Sequence, residues 1–111
     1  MTTVAKPWGS YKVVFDTNDF VVKYICVDKG QRISLQRHKN RSESWVVVKG
    51  HPLVTRESTQ LYMQPEEIIH IRRGEIHRVE AHKDDVRIIE VQHGICDEED
   101  IERLEDDYER S

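Results

Sequence analysis

Little that would mark a secreted, membrane-bound or nucleic-acid-binding protein is present in these 111 residues. There are two cysteines, Cys26 and Cys96, too few for a disulfide scaffold. Each adjoins an apolar, strand-like run, so both read as buried free thiols in a reducing compartment. No stretch approaches the roughly 20 apolar residues that a spanning helix needs, so no membrane partner is expected. Residues Met1 to Ser10 hold no apolar h-region, so the expectation is a cytoplasmic protein without a secretory leader. Positive charge is not in excess: 17 Lys+Arg face 21 Asp+Glu, a formal net charge of −4. General affinity for nucleic acid therefore has no electrostatic basis. Apolar residues (AVILMFWYC) reach only 37 %. That is meagre for a buried helix bundle and sufficient for antiparallel strands wet on one face. The length suits one domain over 1–111, with one small core and no room for a nucleotide-binding lobe beside it.

What is present is a series of short β-branched runs separated by turn residues. Ser10–Phe15, Phe20–Val27, Ile33–His38, Glu43–Val48, Pro52–Arg56, Gln60–Gln64, Glu67–Ile71, Ile76–Ala81 and Val86–Gln92 each read as a strand. Turn signals recur every eight to twelve residues, at Asp16–Asp19, Asp28-Lys29-Gly30, Lys39–Ser42 and Lys49-Gly50, the spacing of an all-β sandwich or barrel. The last segment differs. From Asp97 to Arg110 the acidic run carries Ile101, Leu104 and Tyr108 at i, i+3, i+7, which predicts a short C-terminal helix with Asp97 as N-cap.

Gln36 and His38 lie two apart on one strand and so share a face. Glu43 follows a polar tip, where a hairpin returns it beside them, and His77 stands after a glycine turn further on. Two imidazoles, a carboxylate and an amide oxygen make a four-residue set for a divalent ion such as Zn²⁺, Fe²⁺ or Mn²⁺. His51, His70, His82 and His93 have no such partner spacing and read as surface or structural. Trp8 and Trp45 read as core or strand-pairing aromatics.

The spacing Gly30-x5-Gln36-x-His38-x4-Glu43-x6-Gly50 resembles the first cupin motif, G-x5-H-x-H-x4-E-x6-G, with Gln36 at the first His position. Gly74-Glu75-Ile76-His77 resembles the core of the second. The stretch Ser34 to Gly50 is similar to the S-L-Q-x-H-x-H-R-x-E-H-W-x-V-V-x-G signature of type II phosphomannose isomerase cupin domains. Three flanks also match: Lys6-Pro7-Trp8-Gly9-Ser10-Tyr11, Gly74 to Glu80, and Ile89 to Gly94 followed by Glu99 to Tyr108.

The resemblance spans about residues 6 to 110 and implies a cupin double-stranded β-helix. It implies an isomerase that interconverts mannose 6-phosphate and fructose 6-phosphate through an enediolate, using one divalent ion (Zn, or Mn, Fe, Co or Ni). The implied metal ligands are Gln36, His38, Glu43 and His77, with Glu43 and Arg41 in catalysis. A sugar phosphate dianion calls for cations, and Arg41, Lys39, Arg78 and Arg103 are the candidates, Arg41 being favoured by its place in the motif. Asn40 and Ser44 replace family histidines, which favours the alternative of a cupin that binds a sugar phosphate without turnover. A dioxygenase using His38, Glu43 and His77 is a third reading. Nothing in these residues resembles a Gly-rich nucleotide loop, so guanylyltransferase chemistry is not expected of them. Small barrels expose sheet edges that a second copy can cover, and a homodimer is expected on that ground.

Overall fold

The computed structural model describes residues 2–109. Eleven strands and no helix occur among them: β1 Thr3–Lys6, β2 Gly9–Asp16, β3 Phe20–Val27, β4 Leu35–Arg37, β5 Arg41–Lys49, β6 Leu53–Arg56, β7 Thr59–Tyr62, β8 Ile68–Ile71, β9 His77–Glu80, β10 Val86–Gly94 and β11 Glu102–Glu105. They form a six-stranded sheet in the order β1-β2-β3-β10-β5-β8 and a five-stranded sheet in the order β11-β4-β9-β6-β7. Every pairing is antiparallel. The nine runs expected from the sequence correspond to β2 through β10. β1 was not among them.

The alternation of side chains along each strand sets what faces inward. On β5 the inner row is Arg41, Glu43, Trp45 and Val47, and on β10 it is Val86, Ile88, Glu90 and Gln92. One end of the space between the sheets is therefore apolar: Val27, Val47, Val54, Val79, Val86 and Ile88 are all buried there in one cluster. The other end is polar, and the charged residues found there, Lys23, Arg41, Glu43 and Glu90, are buried as well. Burying charge without a partner is expensive, so this polar end is built for a purpose other than packing.

Two motif glycines are needed for different reasons. Gly50 has φ +87°, and a Cβ there would lie 2.3 Å from the Asp85 carbonyl oxygen, so both conformation and space require glycine. At Gly74 (φ +80°) nothing stands within 4 Å, and only the left-handed backbone demands it. Its N–H donates to the His38 carbonyl oxygen at 2.7 Å, which ties the turn before β9 to the end of β4.

The C-terminal segment corrects the expectation of a helix over 97–110 (Arg110 lies outside the described residues). Residues 97–100 make a turn, and β11 then pairs with the edge of β4: Glu102 opposite Arg37, Arg103 opposite Gln36. Leu104, one of the three apolar residues of the expected helical stripe, is 45 % exposed. The side chain of Asp97 does accept a backbone N–H, from Glu99 at 2.9 Å, but the chain then spends its hydrogen bonds on an open sheet edge. No helix of the described residues is long and apolar enough to cross a membrane. Cys26 and Cys96 are free and half-buried, less enclosed than the sequence suggested.

Candidate functional site

At the polar end, side chains from both sheets converge. Gln36 (β4) and His77 (β9) are register partners on the small sheet, while Glu43 comes from β5 of the large one. His38 follows β4. The ligand-capable atoms of His38, Glu43 and His77 lie within 4.8 Å of one another, and all three residues are buried. His38 Nε2 is 3.3 Å from Glu43 Oε2, and His77 Nε2 is 3.7 Å from Glu43 Oε1. Gln36 approaches His38 Nε2 through its amide nitrogen at 3.5 Å, while its oxygen accepts from the Ser34 hydroxyl at 2.7 Å. Half a turn of the amide exchanges the two, because the hydroxyl accepts as readily as it donates.

The backbone fixes both imidazole tautomers. His38 Nδ1 lies 2.6 Å from the Asp100 carbonyl oxygen, and His77 Nδ1 lies 2.9 Å from that of Glu75. A carbonyl only accepts, so each Nδ1 carries the hydrogen and each Nε2 turns a lone pair toward Glu43. This is the arrangement of metal-ligating histidines. His77 Nε2 is buried with no hydrogen-bond partner, a costly state for a ring nitrogen. That orphaned lone pair, with a carboxylate and a second imidazole beside it, fits a divalent ion with borderline ligands.

Arg41 occupies the same ground. Its Nε donates to Glu43 Oε2 at 3.0 Å, its Nη2 faces the His38 Nε2 lone pair at 3.3 Å, and its Nη1 donates to the Asp97 carbonyl oxygen. Trp45 Nε1 donates to Glu43 Oε1 at 3.1 Å. Burial by itself would raise the Glu43 carboxyl, but the charge that His77 and His38 carry when protonated, the Arg41 guanidinium and the indole N–H hold it below the usual carboxylate range. Burial lowers His38 below an ordinary histidine, which keeps its lone pair free at neutral pH.

A cavity opens beside this cluster, walled by Gln36, Arg41, Glu43 and Trp45 together with Lys6, Lys23 and Arg103. Arg41 and Arg103 were expected there, and the structure brings both to it. It does not bring Lys39 or Arg78. Lys39 is exposed on another face, where its backbone N–H donates to Asp100. Arg78 is buried and committed to the Ile33 carbonyl oxygen at 3.0 Å and to Glu105 at 3.1 Å, so it staples β9 to neighbouring chain.

Sequence reasoning missed Lys6, Lys23, Glu90, Gln92 and Asp100. The period-two reading of Val86–Gln92 held the signal for two of these, since Glu90 and Gln92 fall on the same face as Val86 and Ile88. Asp100 was assigned to a helix. It instead accepts the backbone N–H groups of Lys39 and Asn40 at 2.9 and 2.8 Å and presents its carbonyl to His38. His51, His70, His82 and His93 are all exposed, and His51 pairs with Asp84 at 2.8 Å.

Glu90 carries a pH consequence. Burial, reinforced by the nearby Glu43 charge, pushes its carboxyl up to about 8, against the pull of Lys23, Arg41 and Gln92. Between its ordinary 4.5 and about 8 the folded chain holds a proton that the unfolded chain has released. Stability from this group is thus full below the ordinary value and falls as pH rises through 8, by an amount on the order of a few kcal/mol. Thermal melts of metal-free protein should show Glu90→Gln gaining on wild type between pH 6 and pH 9. Parallel profiles would contradict this.

Two facing antiparallel sheets with a His, His, Glu cluster between them define a cupin, and the solved structures onto which the chain superposes include cupin and double-stranded β-helix domains. Within that class the chain belongs to the family described as mannose-6-phosphate isomerase C-terminal, whose model matches residues 1–106. It is 42 % identical over 110 residues to the alginate biosynthesis protein AlgA of Pseudomonas aeruginosa, covering 97 % of this chain and 23 % of AlgA. It is 37 % identical over 109 residues to the mannose-1-phosphate guanylyltransferase ManC of Salmonella typhimurium, covering 96 % of this chain and 23 % of ManC. The chain thus spans about a quarter of the length of these relatives. Among solved structures, KdgF from a Halomonas species superposes with a TM-score of 0.80 at 19 % identity, over 89 % of this chain and 93 % of that one, a likeness of fold alone.

Proposed function

We propose that the chain holds one divalent metal ion through His38, His77, Glu43 and Gln36 and interconverts mannose 6-phosphate and fructose 6-phosphate. The observation that carries this reading is the pair of imidazoles whose Nδ1–H groups are tied to carbonyls and whose Nε2 atoms meet at one buried carboxylate, with His77 Nε2 left unpartnered. Bound there, Zn²⁺, Mn²⁺, Fe²⁺, Co²⁺ or Ni²⁺ would supply Lewis-acid charge for the sugar oxygen that turns negative in the enediolate.

The rest falls to side chains. Arg41, in the cavity wall, offers a planar fork to the phosphate or to a sugar oxygen. Lys6, Lys23 and Arg103 add cationic character to its lining. Trp8, Ile33 and Val79 give the cavity apolar walls, which strengthen each polar contact inside. The family's description and ManC's name both point to mannose phosphates. A cytoplasmic location and a homodimer paired along open sheet edges belong to the same reading.

The alternative of binding without turnover rested on Asn40 and Ser44, and their placement weakens it. Asn40 is exposed at the hairpin tip. Ser44 lies on the outer side of β5, where its hydroxyl meets His70 Nδ1 at 3.1 Å. Neither lines the cavity. A coupled assay with mannose 6-phosphate tests the proposal. Turnover on the order of 1–10³ s⁻¹ is expected, abolished by a chelator and restored by added divalent ion. Bound metal with no interconversion of any hexose phosphate would turn the reading to a binding module.

A further inference from the structure

An aldose–ketose isomerase must carry a hydrogen between two adjacent carbons, and the proposed site leaves open which group does so. Glu43 is poorly free for it. Both of its oxygens are engaged: Oε1 by the Trp45 indole and beside His77, Oε2 by Arg41 and beside His38. A second buried carboxylate lines the same cavity. Glu90, only 6 % exposed, projects from the inner face of β10 directly opposite Trp45 on β5 and Lys23 on β3. Glu43 is the diagonal neighbour two residues along β5, a separation of about 7–8 Å between strands. Both carboxylates therefore line one cavity from neighbouring strands. Beside it Gln92 donates its amide N–H to Glu90 Oε1 and leaves its own Oε1 buried with no partner. An unsatisfied acceptor facing a cavity calls for a donor from a ligand, and a sugar hydroxyl is one.

We infer that Glu90 is the proton-transfer residue of this site, positioned by Gln92. The inference rests on the isomerase reading above. In the forward direction the Glu90 carboxylate takes the hydrogen from C2 of the open-chain aldose. The C2–H electron pair becomes the C1–C2 double bond, and O1 gains the negative charge. The same carboxyl then delivers its proton to C1, while the hydrogen on O2 passes to O1 and the C2 ketone forms. Nothing is oxidised or reduced overall, and Glu90 ends as it began.

The test is Glu90→Gln in the full chain, loaded with metal. Expected are a kcat lower by about 10²–10⁴-fold, loss of solvent deuterium uptake into the sugar in D₂O, and unchanged metal content. Mannose 6-phosphate binding, followed by tryptophan fluorescence, should stay at the wild-type level. Glu90→Asp, which keeps a carboxylate one methylene short, should retain slow deuterium uptake with KM preserved. It also serves if the amide variant does not fold. A wild-type kcat in either variant overturns the inference, as does a loss of activity matched by loss of metal or of sugar binding. Failure of the isomerase reading would look different, because wild type itself would then give no turnover and no deuterium uptake.

Discussion

His77→Ala is expected to abolish turnover and to reduce divalent-metal affinity by more than the roughly 10–100-fold that follows loss of a supporting group. The residue is 0 % exposed, its ring stands nearly perpendicular to that of Trp45 with centroids 5.7 Å apart, and it supplies one of the two imidazole lone pairs of the proposed site. Nothing on β6, its other neighbour in the small sheet, can replace that lone pair: Arg56 stands opposite His77 there. Stability should respond less than the burial suggests. Truncating a large buried side chain costs about 3–5 kcal/mol, but His77 Nε2 lacks a partner, and removing it also removes a desolvation penalty of about 1–3 kcal/mol. Calorimetric titration with Zn²⁺ and a thermal melt of the metal-free variant separate the two effects. Wild-type metal affinity would contradict the assignment. A melt lowered by far more than the difference of these costs would mean that the ring serves mainly as packing.

Arg41→Ala should act in the opposite sense on the metal and strongly on the fold. The guanidinium is the buried cation that neutralises Glu43 and also touches His38 and the Asp97 carbonyl oxygen. Removing one partner of a buried ion pair costs about 3–5 kcal/mol, or a fall in melting temperature on the order of 15 °C or more for a chain of this size. Metal-free variant should therefore melt far below wild type. A divalent ion would then restore most of the loss, because its charge takes over at Glu43. Wild type should gain less from the same ion, since ion and guanidinium compete for the same atoms. Activity should not return with stability: losing a charge-assisted contact to a phosphate or sugar oxygen is worth about 10–10² in kcat/KM. Melts of both proteins with chelator and with metal, read beside the coupled assay, provide the check. Equal stabilisation of the two by metal would contradict the competition, and wild-type kcat/KM would contradict contact with substrate.

The nine strands around the core were legible because their signal is local: β-branched residues in period two, bounded by turn residues. Gln36, His38, Glu43 and His77 were legible because a motif fixes their spacing and two glycine turns aim their strands. What escaped was non-local. The segment after Cys96 looks helical by composition, yet its conformation is decided by the unpaired edge of β4 and by Asp100 reaching back to the Lys39–Asn40 backbone. Which cations reach the cavity was equally hidden. Arg78 belongs to a conspicuous motif block but is spent on Ile33 and Glu105, whereas Lys23, in an unremarkable strand, points inward. Its ammonium pairs with Glu98 and lies over the Tyr11 ring. Strand parity would have found Lys23 and Glu90. No sequence pattern shows which buried carboxylate has both oxygens engaged.

The most direct measurement is an anomalous-difference map from crystals grown with Zn²⁺. A single strong peak is predicted between the sheets, about 2.0–2.2 Å from His38 Nε2, His77 Nε2 and a Glu43 oxygen, with Gln36 turned to face it. A peak bound elsewhere on the chain, or none at saturating metal while both imidazoles still face Glu43, would contradict a metal centre at these four residues.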